Sequence, residues 1–168
     1  IKILIAQIAE TLGFENCASH TEIKINSRGI FIIETSPRLG GDFISSTLVP
    51  LSTGFNMEEA LINISTKSNE LSNELQICFH KFSGVVFFQL PEGFIKRIGQ
   101  IEEIKKVKGF HKCNFDLVEG QRIPKIKNSI DRYGYSIFQT DEVDALFMSI
   151  TLCKEIIERE VLIEQYGR

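Results

Sequence analysis

One stretch of the chain decides its fold, and it runs His20-Thr-Glu-Ile-Lys-Ile-Asn-Ser-Arg-Gly-Ile-Phe-Ile-Ile-Glu-Thr-Ser-Pro-Arg-Leu-Gly-Gly-Asp-Phe43. Two isoleucine-rich runs, residues 20–26 and 30–34, flank a short connection that ends in glycine, and this pattern favours a β-hairpin. With Arg28 as the pivot of the turn, Glu22 lies opposite Glu34, although a slip of one residue would put them on opposite faces. Opposed side chains have Cβ atoms about 5 Å apart, so the two carboxylates repel each other and a compensating cation is expected.

Polar side chains continue into the segment after the second strand. Pro37 biases Ser36 towards an extended conformation, so Glu34, Ser36 and Arg38 are predicted to project on one side. Glu22, Glu34 and Ser36 form an oxygen-rich donor set of the kind that binds Mg²⁺, with substrate phosphates and water completing the coordination. A guanidinium beyond the metal can fork onto phosphate oxygens. The set therefore indicates phosphoryl-transfer electrostatics.

A glycine pair follows this donor set. Gly40 and Gly41 can present backbone N–H groups to an anion without a side chain in the way. Asp42 is predicted to cap a helix over residues 43–52, whose positive end would help to bind that anion. The loop is thus a candidate site for a carboxylate or a phosphate.

Other interpretations of the polar residues stay open. In a surface hairpin of no function, the two glutamates would pair with Lys24 and Arg28. Converging strands could also build a zinc site, although none of the cysteines and histidines has standard zinc spacing. The pairs in question are Cys17 with His20, Cys78 with His80, and His111 with Cys113.

Composition sets the broad class. The chain has 168 residues, of which 43% are hydrophobic and 24% charged, as in soluble globular proteins. A net charge of −3 gives no electrostatic reason to bind nucleic acid or an anionic membrane. Four scattered cysteines suggest reduced thiols in a cytoplasmic protein. Because the chain begins at Ile1 inside a helical apolar stripe, we expect it to be part of a longer polypeptide.

Periodicity predicts mixed secondary structure on both sides of a polar linker near residue 70. Helices are predicted over residues 1–12, 43–52, 57–65, 101–107 and 141–165. Strands are predicted over residues 74–82, 85–90, 94–98, 110–118 and 132–139, with Ser83-Gly84 as a turn. We therefore expect two domains, residues 1–70 and 71–168.

The motif resembles a known family. His20-Thr-Glu22-Ile-Lys followed by Ile32-Ile-Glu34-Thr-Ser-Pro-Arg38-Leu-Gly-Gly41-Asp is similar to the closing motif of the ATP-grasp ligases. The later residues are similar to the small C-terminal domain of the carboxylate–amine ligase branch, which includes L-amino-acid ligases. The resemblance implies an α+β fold: the C-terminal half of an ATP-grasp catalytic domain, an antiparallel sheet with helices, followed by a small α+β domain.

The resemblance also implies a reaction and a set of roles. ATP would phosphorylate a carboxylate to an acyl phosphate, and an amine would then displace phosphate. The family pattern implies that Glu22 and Glu34 bind Mg²⁺ (or Mn²⁺) and with it the ATP phosphates, and that Ser36 also binds the metal. It implies that Arg38 stabilises the transferring phosphoryl group. Gly40 and Gly41 would bind the substrate carboxylate. The implied partners are a small carboxylate, an amine and the missing N-terminal ATP-grasp portion, with a homo-oligomer as a further possibility.

Two departures from the family pattern shape these expectations. Ser36 stands where the family usually has asparagine, and its hydroxyl reaches less far towards a second metal ion. The nucleotide-binding elements that lie upstream in the family are absent from this chain. We therefore expect the chain alone to be inactive, and the alternative is a degenerate, non-catalytic binding module that keeps its Mg²⁺ affinity.

Overall fold

The computed structural model describes residues 1–66, 77–125, 127–128 and 132–165. The chain divides into two compact units, Ile1–Phe79 and His80–Arg168, and each combines helices with antiparallel strands. The α+β class is thereby confirmed. The boundary predicted near residue 70 lies outside the described residues. No helix in the described part of the chain is both long enough and apolar enough to span a membrane.

The first unit is built around a two-stranded hairpin. Its elements are α1 (Lys2–Thr11), β1 (His20–Asn26), β2 (Gly29–Ser36), a π-helix (Ile44–Leu48), α2 (Val49–Thr53) and α3 (Met57–Thr66). As predicted, α1 ends before Gly13, which adopts a left-handed φ of 69°. The predicted cap of α3 is also confirmed, because Asn56 Oδ1 accepts a hydrogen bond from the Glu59 N–H at 3.1 Å.

The first unit buries almost nothing. Among its described residues only Ser45 is buried, and no apolar side chain is. A fully buried aliphatic side chain contributes about 1.5–3 kcal/mol, and the apolar residues of this unit are at most partly buried, so each contributes less than that. Its hairpin is held by main-chain pairing and is open on its apolar face.

The second unit contains the hydrophobic core. Its strands form two antiparallel three-stranded sheets, in the orders β3-β7-β5 and β6-β4-β8. Their bounds are β3 (Phe82–Phe87), β4 (Gly93–Ile98), β5 (Phe110–Phe115), β6 (Arg122–Ile123), β7 (Gly134–Thr140) and β8 (Val161–Glu164), with a 3₁₀-helix (Ile101–Lys106) and α4 (Val143–Glu160). Ile95, Ile104, Ile123, Phe138 and Cys153 are at the centre of the core, each at most 1% exposed.

The predicted turn at Ser83-Gly84 is wrong, because β3 runs through both residues and pairs with β7. Gly84 packs closely against α4, since a Cβ atom at this position would lie 3.2 Å from Ile150 Cδ1. The strand predicted over residues 74–82 is also wrong at residues 77–81, which are not in a strand, and residues 74–76 lie outside the described part of the chain.

The final helix is shorter than the apolar stripe predicted. It ends at Glu160, and Val161–Glu164 turns into strand β8, which pairs with β4. Neither Thr140 nor Asp141 is its N-cap, which is Glu142 without a side-chain hydrogen bond. Val161 belongs to the apolar stripe and is buried as predicted, but it lies in β8 and not in the helix.

Phe147 shows where that face was misjudged. It was predicted to lie in the core stripe of α4, but it is 62% exposed. Ser149 is buried on the inner face instead, where its hydroxyl bonds to the carbonyl of Lys108 at 2.8 Å. A hydrogen-bonded serine can occupy a core position that a hydropathy pattern assigns to an apolar residue.

The packing of α4 can be tested through its cysteine. Cys153 is fully buried, and burial raises the pKa of its thiol to about 12, so it stays protonated and unreactive at pH 8. We expect a thiol-alkylating reagent at pH 8 to label the exposed Cys78 at least about 100-fold faster than Cys153. Mass spectrometry of the two peptides gives the rates, and equal rates would contradict the packing of α4 described above.

Candidate functional site

The turn of the hairpin differs from the one that the sequence predicts. Asn26 pairs with Gly29, so two residues form the turn and Arg28 is not a central pivot. Carried along the strands without a break, this register would place Glu22 opposite Ile33. The two glutamates would then be on opposite faces of the sheet.

A β-bulge restores the predicted pairing. The register shifts between Ile23, which pairs with Ile32, and Glu22, which pairs with Glu34. Ile33 is the extra residue in β2, and one inserted residue moves every later side chain of that strand to the other face. The prediction that Glu22 faces Glu34 is therefore confirmed, although the geometry that produces it was not foreseen.

The bulge separates the hairpin into a polar and an apolar face. His20 pairs with Ser36, and by the alternation of strand residues both lie on the face that carries Glu22 and Glu34. The opposite face carries Thr21, Ile23, Ile25, Ile30, Ile32 and Thr35. The strand residues that are predicted to form the site, Glu22, Glu34 and Ser36, thus share one surface.

The predicted donor set converges around Glu34. Ser36 Oγ donates a hydrogen bond to Glu34 Oε1 at 3.4 Å, and Arg38 Nη2 lies 3.9 Å from the same oxygen. Arg38 folds back because its N–H bonds to the Ser36 carbonyl at 2.9 Å across Pro37, which makes a tight turn. Glu22 is next to His20, with 3.6 Å between Glu22 Oε1 and Nε2 of the ring. Each carboxylate therefore has its own local partner.

The pairing with Lys24 and Arg28 that would make this an ordinary surface hairpin is not observed. Within the described residues neither side chain forms an ion pair with Glu22 or Glu34. The Arg28 guanidinium lies 5.9 Å from the ring centroid of Phe31 instead. Lys24 and Arg28 thus leave the carboxylates accessible, and each glutamate side chain is more than half exposed.

The loop after Arg38 is a strained turn and not the start of an α-helix. The N–H of Ile44 bonds to the carbonyl of Gly41 at 2.9 Å, and Asp42 and Phe43 between them have φ values of 50° and 66°. Left-handed conformations of this kind cost about 1–3 kcal/mol per residue and cluster at functional sites. The prediction of Asp42 as an N-cap is therefore wrong.

The helical segment that follows is also unlike the predicted one. It is a π-helix over Ile44–Leu48 and then the single turn of α2, where one helix was predicted over residues 43–52. Pi-helical turns are rare and occur often at functional sites. Any anion at this loop would be bound by backbone N–H groups without the dipole of a long α-helix.

The two glycines of the loop have different surroundings. A Cβ atom on Gly40 would lie 3.0 Å from His20 Nδ1 and 3.2 Å from Ile44 Cγ2. A Cβ atom on Gly41 would meet nothing within 4 Å. Gly40 is therefore needed for packing, whereas Gly41 leaves open space beside its backbone.

Two residues of this region were not predicted as site residues. His20 lies beside Glu22, and its place at the start of the motif strand made it the histidine expected nearest the site, although no role was predicted for it. Ser45 is 2% exposed, and its hydroxyl has no hydrogen-bond partner in the described part of the chain. No pattern in the sequence distinguishes Ser45 from its neighbour Ser46.

The chemistry of the donor set fits a hard cation. Glu22, Glu34 and Ser36 offer carboxylate and hydroxyl oxygens on one face, which suits Mg²⁺ when phosphates and water supply the remaining ligands. The described residues contain no group of three or more His, Cys, Asp or Glu side chains that could bind a metal ion. The zinc site considered from the sequence has no support there.

The chain shares its fold with part of each of three solved ATP-grasp enzymes, and the resemblance seen in the hairpin motif is confirmed at this level. The chain is similar to the crystal structure of L-amino acid ligase from Bacillus licheniformis, with a TM-score of 0.73 and 18% identity. It is also similar to phosphoribosylglycinamide synthetase from Anaerococcus prevotii, with a TM-score of 0.70 and 19% identity. A third similar structure is the phosphoribosylaminoimidazole carboxylase ATPase subunit from Aquifex aeolicus, with a TM-score of 0.58 and 14% identity.

The extent of these matches defines what they show. They cover 98%, 96% and 92% of this chain but only 40%, 40% and 44% of the three solved chains, in the same order. At identities below 20% they show the fold and leave the reaction open. No family model and no curated protein matches the chain by sequence.

The difference between the two glycines can be tested by paired substitutions. We expect Gly40→Ala to lower the free energy of unfolding by about 1–3 kcal/mol, because the added methyl group overpacks His20 and Ile44. Gly41→Ala should change it by less than about 0.5 kcal/mol, because the methyl group enters open space. Chemical denaturation followed by circular dichroism measures both values, and equal losses would rule out the steric role given to Gly40.

Proposed function

We propose that this chain supplies one wall of the Mg²⁺–ATP phosphate site in an ATP-grasp ligase that joins a carboxylate to an amine. The observation that carries the proposal is the bulged hairpin, which brings Glu22, Glu34, Ser36 and Arg38 onto one exposed surface in a chain with the ATP-grasp fold. Main-chain pairing sets this arrangement.

Glu22 and Glu34 are the residues that would bind Mg²⁺ or Mn²⁺, with the Ser36 hydroxyl as a further oxygen. The metal would neutralise charge on the ATP phosphates as the phosphoryl group is transferred. Glu34 already accepts a hydrogen bond from Ser36, which orients its carboxylate, as partners of metal ligands commonly do. Ser36 therefore contributes to the site even where its oxygen does not reach a metal.

Arg38 would act on the group that is transferred. Its guanidinium is 56% exposed, lies 3.9 Å from Glu34 and bonds to the Leu39 carbonyl at 2.9 Å. A planar guanidinium whose N–H groups are accessible can bind phosphate oxygens in a bidentate manner. In this position it would stabilise the charge that develops on the phosphoryl group.

The reaction consists of two displacements. A carboxylate oxygen of the first substrate attacks the γ-phosphorus of ATP, the bond to ADP breaks, and an acyl phosphate forms. The amine of the second substrate then attacks the acyl carbon, phosphate leaves, and an amide results after loss of a proton. Gly40 and Gly41 would bind the substrate carboxylate through backbone N–H groups, with the open space beside Gly41 as the route of approach.

The hairpin needs a partner to complete it. Ile25 is 59% exposed, Ile30 38% and Ile32 37%, all on the face opposite the glutamates. An isolated two-stranded hairpin is marginally stable in water, and the described residues add no third strand to it. We propose that the N-terminal portion of an ATP-grasp polypeptide covers this face and supplies the nucleotide-binding residues. By itself the chain would then have no catalytic activity.

The metal role is tested by Glu34→Gln in the full-length gene product. We expect ATP-dependent phosphate release to fall by about 100-fold or more, because the neutral amide no longer binds the metal that stabilises the transferring group. Assays across a panel of amino acids and amines would also identify the substrates. Lys24→Gln is the matched control, since Lys24 lies on the adjacent strand β1 and forms no ion pair with either glutamate in the described structure, and its rate should equal that of the wild type.

A wild-type rate for Glu34→Gln, with its fold intact by circular dichroism, would overturn the metal role. The alternative of a non-catalytic binding module would be favoured if the full-length protein binds Mg²⁺ through the two glutamates but releases no phosphate with any substrate. These two outcomes are separated by measuring metal binding and phosphate release on the same samples.

The covering of the apolar face is tested by Ile32→Ser. In the full-length product we expect a loss of about 2–4 kcal/mol in the free energy of unfolding, because the side chain would be fully buried there. In the 168-residue chain, where Ile32 is 37% exposed, the loss should be less than about half of that. Equal losses in the two proteins would show that no N-terminal portion packs on this face.

A further inference from the structure

His20 lies between the two halves of the proposed site. Its Nε2 is 3.6 Å from Glu22 Oε1, and in the strand pairing it is directly opposite Ser36. The imidazole is 21% exposed, whereas the side chains of Glu22, Glu34 and Arg38 are all more than half exposed. His20 is therefore the most enclosed ionisable side chain of this group.

The other edge of the ring faces the glycine loop. A Cβ atom on Gly40 would lie 3.0 Å from His20 Nδ1, which is closer than most real Cβ contacts. The absence of a side chain at Gly40 thus makes room for the imidazole. The ring consequently has a proposed metal ligand beside one nitrogen and the proposed substrate loop beside the other.

We propose that His20 is a positioning residue that orients the Glu22 carboxylate and couples it to the loop at Gly40. This inference rests on the proposed function, because it takes Glu22 as a metal ligand and Gly40 as part of the carboxylate pocket. The role requires the size of the ring and its polar edges, and it involves no change in its charge. Partners that orient metal ligands typically change metal affinity by 10- to 100-fold when they are replaced.

The coupling follows from the shared contact. Glu22 Oε1 lies 3.6 Å from Nε2 of the ring, and Nδ1 of the same ring faces the space that a side chain at Gly40 would fill, so a displacement of the ring changes the surroundings of both. A metal ion on Glu22 would therefore favour one position of the loop, and a carboxylate in the loop would favour one orientation of Glu22. Binding at one half of the site would strengthen binding at the other by the same factor.

The first test measures Mn²⁺ binding to the full-length protein in the presence of ADP, by electron paramagnetic resonance, without any turnover. We expect His20→Ala to weaken Mn²⁺ binding by about 10- to 100-fold. His20→Gln, whose amide can reach towards Glu22, should recover most of that loss. His111→Ala is the matched control, because His111 is an exposed histidine of the second unit and its replacement should change nothing.

A second test separates coupling from a merely structural role through a double-mutant cycle with Gly40→Ala. If the added methyl group acts by displacing the ring, Gly40→Ala should weaken Mn²⁺ binding in the wild type but much less in the His20→Ala background. Additive effects would overturn the coupling. Wild-type Mn²⁺ affinity in His20→Ala would overturn the positioning role.

Failure of the proposed function would look different. In that case the wild-type protein would bind Mn²⁺ no better than the Glu22→Gln and Glu34→Gln variants, and the premise of the inference would fall with it. If instead both glutamate variants lose Mn²⁺ and His20→Ala does not, the metal site stands and only the role of His20 is wrong.

Discussion

The candidate site depends on a single extra residue in one strand. The turn of the hairpin sets a register in which Glu22 would face Ile33, and the β-bulge at Ile33 moves Glu34 into place instead. A strand has two faces and no intermediate, so the choice between a polar and a mixed surface is all or none. The bulge gives the hairpin one face of glutamates with His20 and another of isoleucines.

The polar face is organised by contacts among its own side chains. Glu34 is held by Ser36 and Arg38, and Glu22 has His20 beside it. These contacts are weak in free energy because the groups are well exposed. Their importance is geometric, since they aim oxygen atoms outward from a rigid main chain. The strained turn at Asp42 and Phe43 follows in the chain. Its backbone conformations are ones that residues other than glycine rarely adopt.

The sequence predicted what local patterns can encode. The strand β1 and the capping of α3 by Asn56 follow from alternation and cap chemistry. The two-residue turn and the bulge were not predicted. Glu22 and Glu34 were still predicted to face each other, because the error of one residue at the turn and the error of one residue at the bulge cancel in the register. A hairpin pattern of isoleucines is compatible with either register until the faces are packed.

Other features of the structure depend on contacts that are distant in the sequence. Local sequence predicts a turn at Gly84, but the residue lies in β3 and packs against α4, which is more than fifty residues later in the chain. Val161–Glu164 continues the apolar period of the preceding helix, yet pairing with β4 makes it a strand. The π-helix and the left-handed Phe43 contradict local preference altogether, as functional segments often do.

The open hairpin also has a consequence for how the chain behaves in solution. Both of its strands are edges within the described structure, and each presents a row of N–H and C=O groups that no neighbouring strand receives. An exposed edge beside a sheet face of β-branched side chains is a template for pairing with a further copy. Intermolecular strand addition therefore competes with correct assembly whenever the isoleucine face is left uncovered, and the concentration of the isolated chain sets which process wins.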